Sequence, residues 1–241
     1  MNDWIYKPAA DLGLGVAERW RSLNREGGLL STLAHRGWTF FIESYLRVFH
    51  RFEVEGLEHV PTSAPFVVVA NHSSHLDALA LGVALPRRLR DFAFPIAAGD
   101  TFFDTRASAA LSAIFLNALP MWRKKCGPHA MESLRERLVA GDAIYLLFPE
   151  GTRARDGVMI SFRAGIGMLV AGTNVPVVPA YLEGCFEAWP PGVRWPRPGP
   201  VRLRFGAPLS FPNTEDSREG WHETAEALYE AVAALAPSKV E

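Results

Sequence analysis

Residues 66–77 read FVVVANHSSHLD. Five apolar, β-prone residues are followed at once by seven of which only Leu76 is apolar. A short, continuous apolar run suits a strand buried on both faces, as in a parallel sheet. Residues 144–148 (IYLLF) and 176–181 (PVVPAY) repeat the pattern, and helical periodicities lie between the runs. Pro128 suits a first helical position, Met131, Leu134 and Leu138 form a stripe behind it, and Gly141 is placed to end that helix. Trp221, Ala225, Leu228, Val232 and Leu235 mark a C-terminal amphipathic helix, with Pro237 beyond it. Residues 200–205 (PVRLRF) alternate in polarity and are expected as an edge strand. Strands alternating with helices predict an α/β fold: a central, mostly parallel sheet flanked by helices. A helical N-terminal extension (residues 1–50) would precede a single domain (residues 51–241).

The composition bounds the function. With 49% hydrophobic and 21% charged residues among 241, the chain is globular rather than disordered. Lys+Arg of 25 against Asp+Glu of 26 leaves a net charge of −1, so no global basic field points to nucleic acid. Charge is nevertheless uneven: residues 151–205 hold seven Arg and three acidic residues, residues 214–241 two basic and seven acidic. Cys126 and Cys185 are too few for a disulfide scaffold or a four-thiolate zinc site, which fits a reducing, cytoplasmic compartment. The first residues, MNDWIYKPAADLGLG, carry Asp3 and Asp11 and do not read as a secretory signal. Residues 107–122 and 164–182 lack charge, but Asn117 and Pro120, and Asn174, Pro176 and Pro179, interrupt them as membrane spans. In GWTFFIESYLRVF (residues 37–49), Trp38, Phe41, Ile42, Tyr45 and Phe49 recur at helical spacing. A helix from 38 to 49 would be about 18 Å long, too short to cross a ~30 Å hydrocarbon layer. It fits either a helix packed on the core or one lying in a membrane surface.

Two polar clusters follow the apolar runs, where ligands gather in open α/β sheets. In the first, Asn71-His72-Ser73-Ser74-His75-Leu76-Asp77, the imidazole of His72 can act as a general base if Asp77 holds its other ring nitrogen. Rival readings are a metal held by His72, His75 and Asp77, and a nucleophilic Ser73 or Ser74. No familiar metal-ligand spacing supports the former and no G-x-S-x-G elbow the latter. In the second cluster, Phe148-Pro149-Glu150-Gly151-Thr152-Arg153, Gly151 allows close backbone approach, Thr152 offers a hydroxyl, and Arg153 can grip a phosphate. If the two strands are parallel, both clusters emerge on one edge of the sheet. Arg123 in LPMWRKK and Arg163 in SFRAGIG are further anion-binding candidates. Neither a P-loop nor a dinucleotide fingerprint is present.

Together, NHSSHLD and FPEGTR resemble the glycerolipid acyltransferase family typified by bacterial 1-acylglycerol-3-phosphate acyltransferases. Its N-H-x-x-x-x-D block matches Asn71, His72 and Asp77, and its F-P-E-G-T-R block matches residues 148–153 without a gap. Its V-P-V-V-P block matches residues 175–179, behind Phe162, Arg163 and Gly165. The block between the first two departs from the family, keeping Arg123 but placing Trp122 before it. The resemblance implies catalysis by His72 and Asp77. It implies acceptor binding by Asn71, Arg123, Glu150, Gly151, Thr152, Arg153 and Arg163, with no metal or cofactor. The expected donor is a fatty acyl thioester, on coenzyme A or acyl carrier protein, and the expected acceptor a lysophospholipid, foremost 1-acylglycerol-3-phosphate. A peripheral position on the inner face of the cell membrane is likewise implied. Another acceptor (an amino-lipid or a glycan), a thioesterase and a non-catalytic lipid-binding homologue are the alternatives.

Overall fold

A computed structural model describes residues 11, 13–23, 25, 28–121, 128–141 and 143–237. Among these, the strands are β1 (Glu53–Glu55), β2 (Phe66–Ala70), β3 (Ala93–Ala98), β4 (Leu119–Met121), β5 (Ile144–Leu147), β6 (Thr173–Glu183), β7 (Arg202–Phe205) and β8 (Leu209–Phe211). The helices are α1 (Val16–Arg19), α2 (Leu29–His50), α3 (Asp77–Ala84), α4 (Arg87–Arg90), α5 (Gly99–Phe102), α6 (Arg106–Ile114), α7 (Pro128–Val139), α8 (Gly165–Val170), α9 (Cys185–Ala188) and α10 (Arg218–Ala233). The strands form one sheet in the order β1-β7-β6-β2-β5-β3-β4, with β8 also paired to β6. The central run from β6 to β4 is parallel, and β7 and β8 run antiparallel to β6.

β2 is the centre of this arrangement, and all five of its residues are buried. Phe66, Val68 and Ala70 face a core shared with α2 and α3, while Val67 and Val69 face a second core shared with α7, α8 and α10. That division explains the uninterrupted apolar run, because neither face of the strand meets water. The α7 stripe of Met131, Leu134 and Leu138 is buried as expected, and Gly141 adopts a left-handed φ of 96° just past the helix. In α10, Ser217 caps the N-terminus by accepting from Gly220 N, and Ala225, Leu228 and Val232 are buried.

Two expectations are corrected. β7 is not an edge strand, because β1 lies outside it in a parallel pair. Its alternation reflects one buried face (Leu203, Phe205) and one face on which Arg202 and Arg204 meet Glu53 and Glu55 at 2.7 and 3.0 Å. The Glu-Val-Glu of β1 carries too little apolar surface to announce a strand by itself. The second correction concerns α2, which is longer than its aromatic stretch and whose buried line is Ile42, Leu46 and His50, flanked by Trp38 and Tyr45. Phe41 and Phe49 are more than half exposed. The helix belongs to the same core as β2 and α3. Its opposite side is also apolar: Leu29, Leu30, Leu33, Phe40, Phe41 and Val48 are all exposed. No helix of the described residues is long and apolar enough to cross a membrane.

Close approach between α8 and α10 fixes the second core. A Cβ built on Gly167 would overlap the backbone of Trp221, whereas one on Gly165 would meet nothing within 4 Å. Gly167→Ala should therefore force the helices apart and lower stability by about 1–3 kcal/mol. Gly165→Ala should show no loss, since Ala is the better helix former. Urea denaturation midpoints of the two variants measure this, and equal midpoints would refute the packing assignment.

Candidate active site

The parallel register of β2 with β5 places Val69 beside Leu147, so the two polar clusters leave adjacent strand ends in the same direction. They are then tied together by backbone: Ala154 N donates to His72 O at 2.8 Å, and His72 N donates to Glu150 Oε1 at 2.6 Å. The expected convergence is present.

Asp77 is the first residue of α3 and fully buried. Its Oδ2 accepts from His72 Nδ1 at 2.8 Å and from the backbone N–H groups of Ser73 and Ser74 at 2.6 and 2.7 Å. The four-residue turn from Ser73 to Leu76 thus folds around the carboxylate that orients the imidazole. Nδ1 carries its proton toward Asp77, which leaves Nε2 as the basic nitrogen. The ring lies flat against Phe148, centroids 4.2 Å apart, and its side chain is 22% exposed. Beneath the site, Cys185 is fully buried, and burial and the neighbouring Asp77 hold its thiol pKa well above the usual value. That thiol is not activated.

Six of the seven remaining candidates are brought to the site, in two different settings. Arg153 reaches across to His75, with Nη1 2.6 Å from both ring nitrogens. Burial, helped by Arg153 and His72, lowers the His75 pKa, favouring the neutral ring that can accept from a guanidinium. Arg163 is exposed and packs over Gly151, donating from Nε to Glu150 O at 3.1 Å. Gly151 has φ of 71°, and a Cβ there would press on the Arg163 side chain. Thr152 is exposed at the same turn. Arg153, Thr152 and Arg163 therefore border one open rim near His72.

Glu150 and Asn71, expected as acceptor-binding residues, are both buried and hydrogen-bonded to backbone. Glu150 is 1% exposed, and its two oxygens accept from His72 N and Ile160 N. Burial raises its pKa despite those two donors. Asn71, also buried, spans to β6 by donating to Leu182 O and accepting from Leu182 N. Both side chains spend their hydrogen-bonding capacity on backbone, so they hold the loops that carry His72 and Arg153. Arg123 lies outside the described residues. Sequence reasoning missed Trp189, whose ring faces His75 at 4.9 Å and whose carbonyl accepts from Ser74 Oγ at 2.7 Å. It lies over a hundred residues away, and no local motif marks it.

An open, mostly parallel sheet with a hydrogen-bonded histidine–aspartate couple and arginines at its carboxyl edge defines an α/β protein with its polar clusters gathered at one edge of the sheet. A model of the Acyltransferase family matches residues 51–183, more than half of the chain, and the protein belongs to that family. Among curated proteins, the chain is 36% identical over 135 residues to 1-acyl-sn-glycerol-3-phosphate acyltransferase alpha of Homo sapiens, covering 55% of this chain and 46% of that protein. It is 33% identical over 148 residues to the chloroplastic 1-acyl-sn-glycerol-3-phosphate acyltransferase LPAT1 of Arabidopsis thaliana, covering 60% and 39%. The chain thus spans about half the length of the curated relatives it matches, or less. The crystal structure of the 1-acyl-sn-glycerophosphate (LPA) acyltransferase PlsC from Thermotoga maritima superposes with a TM-score of 0.62 at 25% identity, covering 88% of this chain and 82% of that one.

Replacing Glu150 by Gln would turn an amino group toward one of the two backbone donors. Leaving one buried N–H unpaired should cost about 1–3 kcal/mol. The check is the denaturation midpoint of Glu150→Gln, and an undiminished midpoint would show that the carboxylate does not brace the loops.

Proposed function

We propose that the protein is an O-acyltransferase that moves a fatty acyl group from a thioester to a hydroxyl of a lysophospholipid, most simply 1-acylglycerol-3-phosphate. The observation that carries this reading is the 2.8 Å His72–Asp77 couple bound through backbone to the arginine-bearing turn. In this reading Nε2 of His72 takes the hydroxyl proton as the oxygen attacks the thioester carbonyl. The tetrahedral intermediate expels the thiolate, which receives the proton back from the imidazolium. Asp77 keeps its charge throughout and steadies the transient cation. Arg153, with Arg163 and Thr152 on the same rim, binds the acceptor phosphate. The donor is acyl-CoA or acyl carrier protein, and the reaction as written consumes nothing else, so no cofactor is invoked.

The same reading places the protein peripherally on a membrane, at its inner face. Both substrates are amphiphiles, and the outward apolar side of α2 gives the protein a surface suited to lipid.

Purified protein given radiolabelled acyl-CoA and a panel of lysophospholipids tests the assignment. Transfer to lysophosphatidic acid supports it. Release of free fatty acid alone would make the protein a thioesterase, and retention without turnover a binding protein. His72→Ala should lower turnover by roughly 10²–10⁴-fold with the fold intact, the usual effect of losing a general base. Unchanged turnover in that variant would remove His72 from the mechanism. Arg153→Ala should chiefly raise the KM for a phosphorylated acceptor, and an equal rise for an unphosphorylated one would argue against phosphate binding.

A further inference from the structure

Residues 189–200, WPPGVRWPRPGP, carry two arginines, two tryptophans and no acidic residue. The loop is braced at both ends. Trp189 Nε1 donates to Val193 O at 2.8 Å, Val193 N to Pro190 O, and Arg197 N to Ala188 O at 2.8 Å. At its far end Gly199 N donates to Phe49 O, and Val201 N just beyond donates to His50 O. A loop so well held nevertheless presents its second tryptophan to solvent: Trp195 is 69% exposed, with the Arg194 guanidinium 5.4 Å from its ring centroid. Arg197 is exposed beside it.

The loop also has a definite place. One end, Trp189, forms a wall of the candidate active site against His75, and the other is hydrogen-bonded to the last turn of α2, where Val48 and Phe49 are exposed. Arg51, exposed just after that helix, adds a third positive charge. Among the described residues, none of Arg51, Arg194 and Arg197 takes part in an ion pair.

We propose that residues 189–199 form a second membrane contact, selective for anionic lipid, continuous with the apolar side of α2. Trp195 seats its ring at the headgroup level, the position that an amphipathic aromatic ring favours. Arg194 and Arg197 meet lipid phosphates there. Docking by this loop draws the Trp189 wall of the site to the bilayer surface, where a lysophospholipid is presented. The inference rests on the peripheral-membrane reading above and adds to it a named element and a lipid charge.

The test is co-sedimentation of the full chain with phosphatidylcholine vesicles and with vesicles containing phosphatidylglycerol. Wild type should bind the anionic vesicles more tightly. Arg194→Glu/Arg197→Glu should lose at least about tenfold of that binding, on the basis of roughly 1 kcal/mol per arginine near a charged surface. It should bind the neutral vesicles nearly as before. Brominated phosphatidylcholine should quench a fluorescence component that Trp195→Phe lacks. All three side chains are exposed, so unchanged melting temperatures and unchanged turnover on a water-soluble short-chain acceptor accompany these results. Phe40→Ser/Phe41→Ser separates the two surfaces. If it abolishes binding while the loop variants bind and quench like wild type, α2 docks alone and the loop proposal is wrong. Loop variants that bind vesicles normally but raise the KM for an acyl carrier protein donor would assign the loop to an acidic protein instead. Wild type that binds neither vesicle overturns both the loop and the peripheral reading.

Discussion

Three donors share one oxygen of Asp77, and the site depends on that sharing. The imidazole of His72 and the N–H groups of Ser73 and Ser74 all point at Oδ2 within 2.6–2.8 Å. A buried carboxylate is costly unless its charge is met by donors. Here the compensation comes from the chain that must turn sharply between β2 and α3. Folding the turn and orienting the imidazole of His72 are therefore the same event. The stacking of His72 on Phe148 and the hydrogen bond from its N–H to Glu150 then pin this turn to the one after β5.

Such cross-bracing explains why the site tolerates a position at the ends of short strands. β5 contributes four residues and β2 five, but both are buried on two faces and held in parallel register. Loops on so rigid a base need few further restraints. Glu150 supplies one by bridging His72 to Ile160, and Asn71 another by bridging to β6. Arg153, Thr152 and Arg163 are left at the open rim, free of structural duty except for light contacts with His75 and Glu150.

Much of this was legible in the sequence because burial writes a strong pattern. The FVVVA run reads as a doubly buried strand, and the Pro128 to Gly141 segment carries start, stripe and stop signals together. The polar clusters are legible because six polar residues directly behind a buried strand have no structural economy as a core. What could not be read is division of labour within a cluster. Glu150 and Asn71 look like ligand-binding groups, since a carboxylate and an amide serve backbone and substrate equally well. Their burial and their backbone partners are properties of distant chain packed over them. β1 was hidden for the opposite reason: it pairs with β7 through a backbone ladder whose outward side chains are Glu–Arg couples, which no local apolar run foretells. The buried line of α2 was misplaced because aromatics occur on both of its sides, and periodicity cannot rank two competing stripes.

The two-sided greasiness of α2 has a practical corollary for handling the molecule. Among the described residues nothing shields the outward leucines and phenylalanines in plain buffer, so copies will tend to cling to one another through them. Elution volumes recorded without an amphiphile would then report adhesive clustering, and a mild surfactant or nanodisc is the medium in which the true stoichiometry can be weighed.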